Sequence, residues 1–403
     1  MKLLEPILQH ITKLQVKYPI FVLLFILGLT IMVLGGVSKV QTVASLELMM
    51  PSTISEIEAI NTLRDAHLGK DGLVILLSVD ENSQNMFGNT NVFNYEVLQY
   101  LQFLQQNLEQ ESAIIRVESI VNYLNFEQEN ITISSQEEFE AFISNPQVFE
   151  QVEELKSQFI SKDDSRVILF IETDIGRDDS SMQLFIEKVQ AIVQNSGLPS
   201  NIVVSYTGTP VIQQELGNLV NLDRENTQLV SLLLVFIITS LVFRSFTTAI
   251  MPLLVVFVSV NWLYGTMGYF DLPISTLAGG VAAMVVGIGI AFAIHIMNKF
   301  KLERKNGNSI SNSIELAVVQ TGSALIATSL TTIGAFLAFF AGVMPEMGSF
   351  GLLMAIGIFY ALTFSIVGLP ALLIVEERIL YFIKEKARFG IDKEYHLEGG
   401  EKV

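Results

Sequence analysis

Six long apolar segments constrain the fold of this chain more than any other feature. Half of the 403 residues are hydrophobic, and they cluster in blocks of about 18 residues or more, the length of helix that crosses roughly 30 Å of hydrocarbon. The pattern predicts membrane spans near residues 20–40, 227–243, 248–269, 275–298, 320–342 and 347–375. The layout is therefore one span, a long polar stretch and five further spans.

The distribution of charge predicts the orientation of these spans. Residues 41–225 are strongly acidic, whereas the short segments on the other side of the predicted spans are basic, with Lys13, Lys17, Arg244, Lys299 and Arg378 among them. Because basic loops stay on the cytoplasmic side, we expect both termini in the cytoplasm and residues 41–225 outside the cell membrane. An acidic outer domain also disfavours a nucleic-acid partner.

Several function classes are disfavoured by what the sequence lacks. The chain has no cysteine, which excludes disulfides, thiolate metal sites and a cysteine nucleophile. It also has no nucleophile elbow, phosphate loop or zinc motif. We therefore predict no enzymatic activity, no metal site and no cofactor.

The first predicted span is expected to be an uncleaved signal anchor. It is longer than a usual signal-peptide core and lacks a small-residue cleavage site. Residues 1–19 before it are expected to form a cytoplasmic amphipathic segment. Its predicted apolar face consists of Leu4, Ile7, Leu8, Ile11 and Leu14.

The outer domain, 41–225, alternates strand-like and helix-like runs. Strands are predicted near 72–79, 113–121, 165–173 and 201–206, with helices at 92–108 and 182–193. This order predicts a ferredoxin-like βαββαβ porter-type domain, with an acidic helical insertion near 134–159. The fold class is thus an α-helical membrane protein with six transmembrane helices (1+5) and an α+β outer domain. The domains end with helices 2–6 over 226–375 and a cytoplasmic tail at 376–403.

The predicted spans contain few polar side chains. His295 is the only histidine among them, and histidine is a residue type suited to proton transfer. Asn261, Thr328 and Thr332 could form hydrogen bonds between helices or with their own helix. Gly287 and Gly289 form a Gly-x-Gly motif that favours close helix packing.

Short motifs in this order resemble one half of a resistance–nodulation–division (RND) transporter. They are Thr-Gly-Thr-Pro at 207–210, Phe-Arg-Ser at 243–245, Gly-x-Gly at 287–289 with His295, Thr-Ser-Leu-Thr-Thr at 328–332, Phe-Gly at 350–351 and Leu-Pro at 369–370. The similar branch includes mycobacterial large lipid exporters, hopanoid exporters and Patched-like proteins with a sterol-sensing-like domain. The resemblance implies efflux of lipid-like or amphiphilic cargo, with membrane lipids as partners. It also implies a twelve-span array, built as a homodimer or with a similar half-transporter.

One departure from this family pattern concerns energy coupling. Where the family has Asp-Tyr, with the aspartate as proton site, this chain has Ala291 and Phe292. The remaining coupling candidates are His295, Asn261, Thr328 and Thr332. Two alternatives therefore stay open: an uncoupled lipid-binding or scaffold protein that has lost the relay, and a SecD/SecF-like export accessory.

Overall fold

A computed structural model describes residues 4–43, 50–51, 53–66, 71–80, 91–124, 135–144, 146–175 and 179–398. The chain divides into two compact units. The first consists of Met1–Val43 and Leu219–Val403, and the second of Ala44–Asn218.

Six helices are long and apolar enough to cross a membrane, as predicted. We call them spans 1 to 6: Pro19–Val37, Thr209–Phe243, Thr248–Tyr269, Leu277–Lys305, Ile310–Ala341 and Pro345–Ile379. The helix of span 2 begins at Thr209, well before the apolar window at 227. Polar residues can continue a helix, so an apolar window marks the hydrocarbon and not the helix end. Span 5 likewise begins earlier and contains a π-helical turn at Ala317–Gly322.

Spans 3, 4 and 6 supply most of the buried interior of the membrane unit, whereas spans 1, 2 and 5 lie mostly at its surface. Leu263, Val285 and Ile358 are fully buried at the centre. Span 1 packs against span 3 through glycines: a β-carbon added at Gly268 would overlap the carbonyl oxygen of Gly36. The two backbones therefore approach more closely than any side chain would permit.

The N-terminal helix, Glu5–Lys17, buries a different face from the predicted one. Leu8, Thr12 and Gln15 are buried, whereas Ile7 and Leu14 of the predicted apolar face are about half exposed. The reason lies in span 6. Pro370 has no N–H to donate to the carbonyl oxygen of the residue four positions earlier, and the Gln15 side chain supplies that hydrogen bond.

The Gln15 amide nitrogen, Nε2, donates to the carbonyl oxygens of Ile366 at 2.8 Å and Val367 at 3.1 Å. Ile366 is the residue whose carbonyl Pro370 leaves without its helical partner. A buried carbonyl without a hydrogen bond is costly, so a polar residue on the buried face of this helix is favoured. Arg378 adds a second link, donating to the Val16 carbonyl at 3.1 Å.

The second unit contains a four-stranded sheet. Its strands are β2 (Asp71–Val79), β3 (Ile114–Glu118), β4 (Arg166–Thr173) and β5 (Ile202–Gly208). A separate two-stranded sheet, in the membrane unit, pairs β1 (Thr42–Val43) with β6 (Ile274–Ser275). The spatial order is β3-β4-β2-β5, and every neighbouring pair is antiparallel. The helices of this unit are α1 (Ser55–Asp65), α2 (Tyr95–Leu108), α3 (Gln136–Ile143), α4 (Pro146–Phe159) and α5 (Asp179–Asn195).

Helix α2 connects β2 to β3, and α5 connects β4 to β5, while α3 and α4 lie between the two strand–helix–strand halves. Alternate residues of β2, including Leu73, Ile75 and Leu77, are fully buried in the core of this unit. Strand β3 is shorter than the predicted 113–121. Ser119 and Asn122 form a reciprocal cap that turns the chain into a short 3₁₀ helix.

Candidate functional site

Three residues of span 4, Gly287, Ala291 and His295, lie on one uncovered face of the helix. They are four positions apart, and at 3.6 residues per turn such residues stand above one another. We call this surface the span 4 face. Phe292, in contrast, points into the bundle and is 8% exposed. The two residues at the family's relay position thus lie on different sides of the helix.

The two glycines of the Gly-x-Gly motif have different surroundings. A β-carbon at Gly289 would lie 2.9 Å from the Ala361 β-carbon and 3.5 Å from Val256 Cγ2, so this glycine permits the contact between spans 4 and 6. A β-carbon at Gly287 would meet nothing within 4 Å. Of these two glycines, only Gly289 therefore has a packing role within the described bundle.

The hydroxyls and the amide among the coupling candidates bond to their own helices. Thr328 Oγ1 donates to the Ala324 and Leu325 carbonyls at 3.2 and 3.1 Å. Thr332 Oγ1 donates to the Thr328 carbonyl at 3.0 Å, and Asn261 Nδ2 to the Phe257 carbonyl at 2.8 Å. Within the described part of the chain, no hydrogen bond joins any of them to His295.

A small face on span 5 resembles the span 4 face in character. Ala324, Thr328, Thr331 and Ala335 follow helical spacing and are exposed. Their hydroxyls are satisfied within the helix, as described for Thr328 and shown for Thr331 by its 2.7 Å bond to the Thr328 carbonyl. Both spans thus present side chains small enough for another helix to approach closely.

Ion pairs hold the basic ends of spans 4 and 6. Lys299 lies 2.8 Å from Glu303, and Arg304 lies 3.0 Å from Glu377. The Asn308 amide donates to Glu303 at 2.8 Å. These charges are engaged with each other at the end of the helices, which separates them from His295 one turn further into the span.

Sequence reasoning did not identify a polar and aromatic array that connects spans 1, 3 and 6. Trp262 Nε1 donates to Thr30 Oγ1 at 2.9 Å, and the hydroxyls of Thr266 and Tyr360 are 2.7 Å apart. The Trp262 ring packs roughly perpendicular to the rings of Tyr360 and Phe364, at centroid distances of 5.5 and 4.9 Å. The presence of the chain's single tryptophan in a span was the one available signal.

Among the described residues, no group of three or more His, Asp or Glu side chains is placed to hold a metal ion. The acidic residues of α3 and α4 that the structure describes therefore form no such group. The exposed faces of spans 4 and 5 described above therefore present small and hydroxyl-bearing side chains, together with His295.

The sequence matches the model of the MMPL family over residues 92–389. A membrane protein of Methanocaldococcus jannaschii is 28% identical over 376 residues, which cover 93% of this chain and 95% of that protein. MmpL12 of Mycobacterium tuberculosis, described as a transport protein, is 24% identical over 236 residues, covering 58% of this chain and 21% of MmpL12.

Among solved structures, the hedgehog release protein Disp from the water bear Hypsibius dujardini is similar in fold. The TM-score is 0.55 at 14% sequence identity, over 90% of this chain and 49% of the Disp chain. The matched regions therefore cover about half of the Disp chain and about a fifth of MmpL12. These similarities confirm the predicted resemblance to the RND superfamily. With most of its length matched by the family model, the chain belongs to the MMPL family.

Proposed function

We propose that this chain is one half of an RND-type transporter that moves lipid-like or amphiphilic molecules and acts as a homodimer. The MMPL membership supports membrane transport, and the resemblance of the sequence motifs to lipid exporters favours a hydrophobic cargo. One copy supplies about half of the Disp architecture. A second copy, or a similar half-transporter, supplies the rest.

The observation that carries the dimer is the exposure of the span 4 face. Gly287, Ala291 and His295 are uncovered within one copy, and a histidine facing hydrocarbon is costly. A second copy packed on this face removes His295 from lipid, and the open space at Gly287 accepts the partner's helix. Two-fold symmetry makes such a contact self-complementary.

A bulky substitution tests this interface against a matched control. Gly287→Leu and Gly28→Leu both fill space that is open within one copy. We expect Gly287→Leu to convert the dimer into a monomer in lipid nanodiscs, measured by native mass spectrometry, while Gly28→Leu stays dimeric. A monomeric wild type with no partner protein, or a fully dimeric Gly287→Leu, contradicts the proposed interface.

The proposed architecture has both termini in the cytoplasm and residues 41–225 outside, with a ferredoxin-like porter domain. The strand order β3-β4-β2-β5 with two helical crossovers supports that domain type. Because the chain has no cysteine, Ser200→Cys and Ser311→Cys give labelling without background. An impermeant thiol reagent on intact cells should label the first variant alone. Labelling of Ser311→Cys in intact cells overturns the orientation.

The coupling mechanism differs from the usual one in this proposal. Ala291 and Phe292 can neither bind nor transfer a proton, and Thr328, Thr332 and Asn261 are bonded within their own helices. The proton relay of span 4 therefore does not operate. Cargo then moves without proton antiport, or by another gradient or partner.

Transport assays in liposomes distinguish transport without proton coupling from the uncoupled lipid-binding or scaffold role. The presence of Ala291 and Phe292 at the relay position also favours that second role. A fluorescent lipid and a pH-sensitive dye report cargo movement and proton flux for the wild type, His295→Ala and Ala291→Asp. We expect cargo movement without proton flux in the wild type and in His295→Ala. Proton-driven movement abolished by His295→Ala makes His295 the coupling site, whereas no movement under any gradient supports the binding role.

A further inference from the structure

Spans 1, 3 and 6 leave a groove of about 400 Å³ at the surface of the membrane unit. No polar surface faces into it. Two of its lining residues, Tyr360 and Thr363, carry hydroxyls, and the Thr363 hydroxyl donates to the Phe359 carbonyl of its own helix at 2.8 Å. The side chains that define the groove are Leu14, Phe21, Phe25, Trp262, Phe359 and Phe364.

The inner end of the groove offers no free hydrogen-bonding group. Trp262 Nε1 is occupied by Thr30, and the Tyr360 hydroxyl by Thr266. An occupant with a hydroxyl or charge at this depth would leave that group without a hydrogen-bond partner, which is unfavourable away from water. The part of the ligand that enters the groove is therefore hydrocarbon.

The length of the groove matches one leaflet of a bilayer. On span 1 its lining runs from Phe21 to Leu29, which is about 12 Å of helix at 1.5 Å per residue. Leu14 of the N-terminal helix extends it to the membrane surface. Half of a hydrocarbon core of roughly 30 Å is about 15 Å, so a single acyl chain fits along it.

The mouth of the groove is basic, although the chain as a whole carries a net charge of −17. Leu14 lies between Lys13 and Lys17, and both lysines are exposed. Arg378 is held at the end of the same helix by its bond to the Val16 carbonyl. Glu377, which precedes Arg378 in the sequence, is paired with Arg304 at 3.0 Å.

We propose that this groove binds one acyl chain of an anionic phospholipid, drawn from the leaflet on the side of the N-terminal helix. Lys13 and Lys17 bind the phosphate of the head group, because basic residues at the membrane surface attract anionic lipids. The site uses no residue of the span 4 face, so it does not depend on the proposed dimer or on cargo transport.

The single tryptophan of the chain makes the site directly observable, since Trp262 lines the groove. The full chain is placed in phosphatidylcholine nanodiscs that contain increasing fractions of brominated phosphatidylglycerol or brominated phosphatidylcholine. Bromine on the acyl chain quenches tryptophan fluorescence on contact. We expect half-maximal quenching by the anionic lipid at a mole fraction at least several-fold lower than by the zwitterionic one.

Lysine variants test the head-group contact. Lys13→Gln and Lys17→Gln should each reduce the preference for phosphatidylglycerol by about fivefold. Lys305→Gln, which removes another exposed lysine at the end of a span, is the control and should leave the preference unchanged. Equal quenching by both lipids in the wild type overturns the proposal of an anionic ligand.

Groove-filling variants test the acyl-chain contact. Thr363→Phe should reduce quenching by both lipids, whereas Leu24→Phe, at an exposed position of span 1 outside the groove, should not. Quenching unaffected by Thr363→Phe contradicts a seated chain. Absence of quenching by either lipid, together with cross-linking between copies through Phe25→Cys, assigns the groove to a protein interface instead.

Discussion

The crossing of spans 1 and 3 yields a quantitative prediction. A β-carbon at Gly268 would overlap the carbonyl oxygen of Gly36, and one at Gly265 would overlap the carbonyl of Val33. Both obstacles are backbone atoms, which cannot rotate away as a side chain can. Gly268→Ala therefore forces the two helices apart along this crossing.

The expected cost follows from two contributions. Overpacking of a well-filled interior costs about 1–3 kcal/mol, and a backbone obstacle places this substitution at the upper end. Separation of the helices also weakens the 2.9 Å hydrogen bond between Trp262 and Thr30, which contributes about 0.5–1.5 kcal/mol. We expect Gly268→Ala to lower the free energy of unfolding by about 3–4 kcal/mol.

Gly28→Ala, on the exposed side of span 1, meets nothing within 4 Å and is the matched control. We expect it to change the free energy of unfolding by less than about 0.5 kcal/mol. Equilibrium unfolding of the full chain in mixed micelles, followed by Trp262 fluorescence, measures both values. A Gly268→Ala cost equal to that of Gly28→Ala, or full additivity between Gly36→Ala and Gly268→Ala, would refute the close backbone contact.

Three further predictions concern single side chains. Gln15→Leu leaves the Ile366 carbonyl, to which Pro370 cannot donate, without a hydrogen-bond partner and should destabilise the chain by about 1–3 kcal/mol. In a Pro370→Ala background, residue 370 again has an N–H that can donate to this carbonyl, so the cost of Gln15→Leu should fall. Tyr100→Phe removes the 3.1 Å bond to the carbonyl near the end of α5 and should cost about 1 kcal/mol in thermal unfolding. Burial raises the pKa of Tyr100, so the wild-type bond should persist at alkaline pH. Hydrogen bonds from two neighbouring serine hydroxyls lower the pKa of Asp163 to about 2 from its usual 3.8. The stabilising effect of these hydrogen bonds is present above pH 3.8 and is lost as the pH falls through about 2. Asp163→Asn should abolish this part of the dependence of stability on acid pH. If NMR shows that the Asp163 carboxyl titrates near its usual value, the prediction is contradicted.

The sequence by itself determined the number and order of the membrane helices and the superfamily. A span requires little more than an apolar run of sufficient length, which is a local property that composition reveals. The motifs near Gly287 and His295 indicated the superfamily for a similar reason, since short patterns in a fixed order can be recognised without coordinates. The substitution of the relay position by Ala291 and Phe292 was also visible in the sequence alone.

Only the tertiary structure determined which face of each helix packs against its neighbours. Gly287 and Gly289 are equivalent in the sequence, yet only Gly289 contacts a neighbouring span, through Ala361. The N-terminal helix likewise buries Gln15 because that side chain reaches the Ile366 carbonyl, 351 positions away. Hydrophobic periodicity cannot predict such choices, because in a membrane protein both the lipid-facing and the buried faces are apolar, and only the positions of distant atoms distinguish them.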